Sequence, residues 1–187
     1  LGLPEAAFVH QRGLITKMEV RALVLAHLQL RPGLVLWDLG AGSGSVAIEA
    51  ARMAGLDRVY AVERDPTRFE ELRHNVGRFP DARVEAVFGD AAVAAADLEP
   101  PDRVFIGGSG GAMRAILEIA AVRLRAGGRV VQTLVTLGHL EQALAFWKEQ
   151  GFDLEVCQVQ INRFVPIGQS QRVEALNPVF VLVAQGA

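Results

Sequence analysis

The stretch VLWDLGAGSGSVAIEAA, Val35 to Ala51, is an apolar run that ends in an aspartate, then three glycines on alternate positions, then a small-residue helical pattern. It reads as a buried strand, a tight turn and a helix. The spacing limits what the turn can hold. A dinucleotide loop needs G-x-G-x-x-G, but Gly40, Gly42 and Gly44 alternate, and the place of the third glycine falls on Ser45. No G-x-x-x-x-G-K-[ST] occurs, which excludes a nucleoside-triphosphate loop. Asp38 at the entrance would repel a phosphate and suits an ammonium or sulfonium ligand.

Outward from this unit, strand and helix alternate. Thr16, with Glu19 three residues later, predicts a capping box that opens a helix with Val20, Leu23, Val24 and Leu28 on its apolar face. RVYAVE, ARVEAVF, DRVFIGG and RVVQTLV read as strands. Asp65 and Pro66 place a cap and an N1 proline before the helix TRFEELRHNV. AMRAILEIAAVRL and LEQALAFWKEQ supply two more helices, closed by Gly127-Gly128 and Gly151. FDLEVCQVQINRFVPI and NPVFVLVA lack helical periodicity and are expected to pair antiparallel through the Gly168–Pro178 connection. The pattern predicts an α/β fold: a seven-stranded, mostly parallel sheet with a C-terminal antiparallel strand pair and helices on both faces. Ligands in such sheets bind beyond the carboxyl ends of the strands.

Two further carboxylates fall at strand ends. Glu63 closes the second strand, where an acid can accept both hydroxyls of a ribose. Asp90 follows the third strand, where it could meet an adenine amino group or merely cap a short helix from Ala91. With Asp38 they outline one elongated ligand: amino acid, ribose, base.

Composition narrows the partners. The 187 residues suit a single domain, with residues 1–30 as a segment and helix over the cofactor site and 31–187 as the core. A net charge of −2 leaves no basic footprint for nucleic acid. No apolar run approaches the roughly 20 residues that span a bilayer, so no membrane partner is expected. The single cysteine, Cys157, cannot form an internal disulfide and suits the cytoplasm. The four histidines show no metal-ligand spacing, so no metal is expected.

The D-x-G-x-G-x-G loop resembles that of the S-adenosylmethionine-dependent class I methyltransferases. TKMEVRAL, GDA, IGGSGG, LRAGGRVV and NPVFVLV narrow the likeness: over nearly its whole length the chain resembles the decarboxylating module of the precorrin-6Y methyltransferases of cobalamin biosynthesis. The resemblance implies a Rossmann-like class I methyltransferase fold and S-adenosyl-L-methionine as cofactor. It places cofactor contacts at Thr16, Gly40, Ala41, Gly42, Ser43, Gly44, Glu63 and Ala91, to which the strand-end reading adds Asp38 and Asp90. Ser43 stands where relatives often carry threonine, and a hydroxyl is kept. The implied reaction is C-methylation of a precorrin coupled to loss of carbon dioxide from an acetate arm. A homotetramer is implied too. Fused forms, in which this module follows a second methyltransferase domain, would fit a chain that opens on Leu1. No catalytic residue transfers.

At the end of strand four, amino-directed methyltransferases carry Asn- or Asp-Pro-Pro-aromatic, whereas this chain has Gly107-Gly108-Ser109-Gly110-Gly111. NPVF at Asn177 reads as a turn into the last strand. A glycine-rich loop opening a helix at Ala112 presents free N–H groups to an anion and leaves room for a bulky one. A tetrapyrrole ringed with acetates and propionates meets both demands, so Gly108, Ser109, Gly110 and Gly111 are expected to face the substrate. Arg12, Lys17, Arg21, Arg114, Arg163 and Arg172 are candidate partners for its carboxylates. Arg163 and Arg172 lead, because they flank the antiparallel connection. Two alternatives stand beside this reading. One is a class I methyltransferase acting on another small molecule, a protein or RNA. The other is a non-catalytic, methyltransferase-like binding module, against which the intact Asp38, glycine loop and Glu63 speak.

Overall fold

The computed structural model describes residues 2–11 and 13–186. Five strands run parallel: β1 (Val35–Leu39), β2 (Arg58–Glu63), β3 (Val84–Phe88), β4 (Arg103–Ile106) and β5 (Arg129–Leu134). The antiparallel β6 (Asp153–Val159) and β9 (Val179–Gln185) complete a seven-stranded sheet in the order β3-β2-β1-β4-β5-β9-β6. The order reverses between β1 and β4, so their carboxyl ends diverge and leave the crevice in which such sheets bind ligands.

Residue alternation along the strands sorts the core into two layers. Leu36, Ala61, Phe105 and Val131 pack under α1 (Met18–Leu28), α2 (Ser45–Ala54) and α3 (Pro66–Arg78). Trp37, Val62, Ile106 and Val130 pack under α4 (Ala91–Ala94), α5 (Met113–Arg123) and α6 (Leu137–Glu149). Asp38 projects toward the first layer, into the start of α2. Among the described residues no helix is long and apolar enough to cross a membrane.

The Asp65 cap forms as expected, its side chain accepting the Arg68 N–H at 3.0 Å with Pro66 at the first helical position. The capping box at Thr16 does not form. Helix α1 starts at Met18 without a side-chain cap, because the Glu19 carboxylate turns outward to Arg163 at 2.7 Å. The tail also differs from expectation. The expected single strand breaks after Val159, and β7 (Asn162–Ile167) folds back on β8 (Ser170–Ala175) as a separate two-stranded sheet. Gly168, at φ +58°, supplies the left-handed turn that a two-residue hairpin needs. Every residue of β8 is exposed, so no burial pattern marked it in the sequence.

Candidate active site

The glycine loop after β1 is shaped by close approach. Gly40 has φ +73°, and a Cβ there would sit 2.2 Å from the Gly108 carbonyl oxygen. The loops after β1 and β4 therefore touch backbone to backbone. Gly44, at φ +75°, would place a Cβ 2.3 Å from Leu72 Cδ1, so α3 packs directly on the loop. Gly42 has nothing within 4 Å of its absent side chain. Asn75 of α3 fixes the rest: its Nδ2 donates to the Ser43 carbonyl at 2.9 Å and to the Val9 carbonyl at 2.8 Å. That ties the N-terminal segment to the loop.

Asp38 is fully buried. Its Oδ2 accepts the Ala47 N–H at 3.1 Å, and its Oδ1 has no partner among the described residues. Burial raises its pKa to about 7, with the Ala47 N–H opposing and the nearby Glu63 charge adding to the rise. Glu63 is equally buried but satisfied. Its Oε1 accepts the N–H groups of Arg64 at 2.9 Å and Asp65 at 2.8 Å, and its Oε2 accepts that of Gly42 at 2.9 Å. A carboxylate offers about four lone-pair sites, so Oε2 keeps room for one ligand hydroxyl while Oε1 is already filled.

Asp90 takes the capping role and also borders a small recess. Its carboxylate caps α4 through the Ala92 N–H at 3.0 Å and lies 3.4 Å from Arg64. Arg64 also donates to the Gly110 carbonyl. Glu63, Arg64, Asp90, Ala91 and Gly110 surround this recess of about 60 Å³. Next to it opens a cleft of about 780 Å³. Gly40 to Ser43, Gly107 to Gly111, Thr16 and Lys17 are among the residues that line it. Helix α5 begins behind the Gly107–Gly111 loop without a side-chain cap. Gly44 does not line the cleft but sets the packing behind it.

The basic candidates divide sharply. Arg163 is paired within the chain and does not line the cleft. Its guanidinium is held by Glu5 (Nη2 to Oε1, 2.8 Å) and Glu19 (Nη2 to Oε2, 2.7 Å), with second contacts of 3.1 Å to each. The Arg163 hydrogen bond holds the Glu5 carboxyl down at about 2, against the opposing effect of burial. Arg172 projects from β8, is exposed, and does not line the cleft. Arg21 is wholly buried, with its Nε 3.0 Å from Glu49 and its Nη1 2.8 Å from the Thr16 carbonyl. Arg114 pairs with Glu118 along α5 at 2.7 Å. Arg12 lies outside the described residues. Lys17 alone of the six lines the cleft.

Other cleft residues were not singled out from sequence. Arg68 lines both cavities and lies 3.4 Å from Glu63. His139 and Gln132 line the cleft, as does Asn177, read above as only a turn. Gln132 carried a signal, a polar residue inside the apolar run RVVQTLV; His139 and Asn177 did not, because long-range closure brings them in. Among the described residues no group of three or more His, Cys, Asp or Glu side chains could hold a metal.

A seven-stranded sheet with a glycine loop after β1, an acid closing β2 and an antiparallel β9 defines a class I methyltransferase. A family model described as precorrin methyltransferase domain matches residues 6–185, and the chain belongs to that family. It is 39% identical over 186 residues to the probable cobalt-precorrin-6B C(15)-methyltransferase (decarboxylating) of Pyrobaculum calidifontis, covering 98% of this chain and 95% of that one. The crystal structure of precorrin-6Y C5,15-methyltransferase from Geobacter metallireducens GS-15 superimposes with a TM-score of 0.95 at 38% identity, covering 99% of this chain and 98% of that one. The C-terminal domain of precorrin-6Y C5,15-methyltransferase from Rhodobacter capsulatus gives 0.84 at 36%, covering 98% and 97%.

Proposed function

We propose that this domain methylates a carbon of a precorrin macrocycle with S-adenosyl-L-methionine and decarboxylates one acetate arm to a methyl group, releasing carbon dioxide, in cobalamin biosynthesis. The observation that carries the reading is a single cleft lined by two unlike loops in backbone contact: a carboxylate-flanked glycine loop and a loop almost without side chains. Family membership supplies the substrate class.

The residues present fit the methyl donor. The partnerless Asp38 Oδ1 calls for a cationic or N–H group. Gly40 to Ser43 give a backbone surface, Thr16 a lid, Glu63 Oε2 one hydroxyl contact, and Asp90 with Ala91 the end of the recess. When bound, the donor supplies an electrophilic methyl on a sulfonium. The chain's own work is placement and dryness. Gly108, Ser109, Gly110 and Gly111 leave a broad face for the macrocycle. Lys17 and Arg68, not Arg163 or Arg172, are the basic side chains at hand for a carboxylate arm. In the second half-reaction the arm's C–C bond breaks, carbon dioxide leaves, and the electron pair stays with the macrocycle side and takes up a proton.

The same reading extends to assembly. Exposed Phe164, Ile167 and Val173 on the β7–β8 hairpin support self-association as a homotetramer. A second methyltransferase domain in the same polypeptide is supported by the Rhodobacter relative, which is itself a C-terminal domain. The lone Cys157 fits a cytoplasmic enzyme.

The test is mass spectrometry of the macrocycle after incubation with this protein and S-adenosylmethionine. Gain of one methyl with loss of one carbon dioxide is the expected result. Donor binding with an unchanged macrocycle would overturn the substrate assignment.

A further inference from the structure

Gln132 is out of place by every rule of its strand. Its neighbours Val130, Val131 and Leu134 are buried and apolar, and it pairs across the sheet with Ile106 and Leu182. It is 1% exposed. Its Nε2 reaches only the thioether of Met113, at 3.6 Å, a weak acceptor. Its Oε1 has no partner among the described residues. A buried amide oxygen left without a donor destabilises the fold, and a leucine of similar shape would avoid that cost.

The position of the residue explains why the cost is tolerated. Gln132 lines the large cleft, as do Gly40 to Ser43 and Gly107 to Gly111. A carboxamide there presents one acceptor with no partner and one N–H that a sulfur holds weakly. The side-chain group on a carboxylated macrocycle that matches this pair is a neutral carboxylic acid, whose O–H donates to the amide oxygen while its C=O accepts the amide N–H. The two-bond pairing is available in either orientation of the amide. Burial at an apolar floor favours the uncharged acid over the carboxylate.

We propose that Gln132 receives the acetate arm that is lost, holding it as the neutral acid, and so selects the arm that is decarboxylated. The inference rests on the precorrin reading above. Atoms balance without a further reactant: the O–H and C–C bonds break, carbon dioxide leaves, and one proton joins the electron pair on the arm's methylene carbon to make a methyl. Gln132 contacts the arm and not the carbon that accepts the transferred methyl, so the two half-reactions should separate.

The experiment compares wild type with Gln132→Leu and Gln132→Met by mass spectrometry of the macrocycle, following methylated product with and without loss of carbon dioxide. Melting temperature and donor binding are measured alongside. Both variants should fold at least as well as wild type, because the partnerless oxygen is gone, and both should bind the donor normally. The ratio of decarboxylated to merely methylated product should fall by roughly tenfold or more, as loss of two neutral hydrogen bonds implies. An unchanged ratio overturns the proposal, and so does an equal loss of both half-reactions in a variant that folds and binds donor. A role confined to the fold would lower the melting temperature and leave the ratio alone. Failure of the precorrin reading shows differently, as a wild-type protein that leaves the macrocycle untouched.

Discussion

The Gly40 α-carbon faces the Gly108 carbonyl oxygen so closely that a Cβ would stand 2.2 Å from it. The loops after β1 and β4 are thus one packed unit. Gly40→Ala adds this clash to a left-handed backbone angle, at a cost of at least ~2 kcal/mol. Donor binding should be abolished even where the variant still folds, which calorimetric titration with S-adenosylhomocysteine at a temperature below its melting point would check.

Asp38 gives the protein a pH dependence of known sign. Its pKa stands at about 7, above the ordinary 3.8, because it is buried. Such a group contributes its stability fully below the ordinary value and loses it as pH rises through about 7. Asp38→Asn removes the titration and keeps an acceptor for the Ala47 N–H. The variant's melting temperature should match wild type near about pH 4 and exceed it by several degrees near about pH 8. A difference that stays flat across that range would contradict the assignment.

Arg21 and Glu49 form a buried ion pair that carries the N-terminal segment. Arg21 also donates to the Leu3 and Thr16 carbonyls, and Glu49 accepts the Leu3 N–H. Glu49→Gln leaves a buried guanidinium without its counter-charge, which costs roughly 3–5 kcal/mol. Thermal denaturation should show a fall of roughly 10 °C or more.

Arg163 pairs with Glu5 and Glu19 and does not line the cleft. Releasing Glu5 and Glu19 by Arg163→Ala should loosen residues 5–19, with faster hydrogen exchange at the Met18 amide, which donates to Glu5 at 3.0 Å. Acid should do the same to wild type. The Glu5 pKa is lowered from 4.5 to about 2, so its contribution is present above 4.5 and is lost as pH falls through about 2. Weakened donor binding is expected from Arg163→Ala and not from Arg172→Ala, since only Arg163 holds the segment that bears Thr16. Equal effects would refute this.

The sheet and the loops at the ends of its first strands were legible because their signals are local. Glycine spacing fixed the β1–α2 turn, acids at strand ends marked Glu63 and Asp90, and Pro66 marked the start of α3. The rest of the cleft lining was not legible to the same degree. Arg163 looked like a substrate ligand until its two carboxylate partners, more than a hundred residues away in the chain, came into view. Thr16 and Glu19 had the spacing of a capping box, but a tertiary ion pair outcompeted the local hydrogen bond. Asn177 was read as a turn because nothing nearby in sequence says that it closes over the cleft. The hairpin β7–β8 escaped notice because an exposed strand has no burial rhythm to read.

The placement of β9 has a consequence for how the protein is made. The strand β9, made after every other strand of the sheet, is not an edge strand; it lies between β5 and β6, with Val181 to Ala184 buried. Until Val179–Gln185 has been synthesised, β5 presents an open apolar edge and β6 has no neighbour on the main sheet. Such edges are templates for aggregation. A nascent chain stalled or clipped before Val179 would thus lose two strands rather than one, and expose an adhesive flank where the finished protein has its interior.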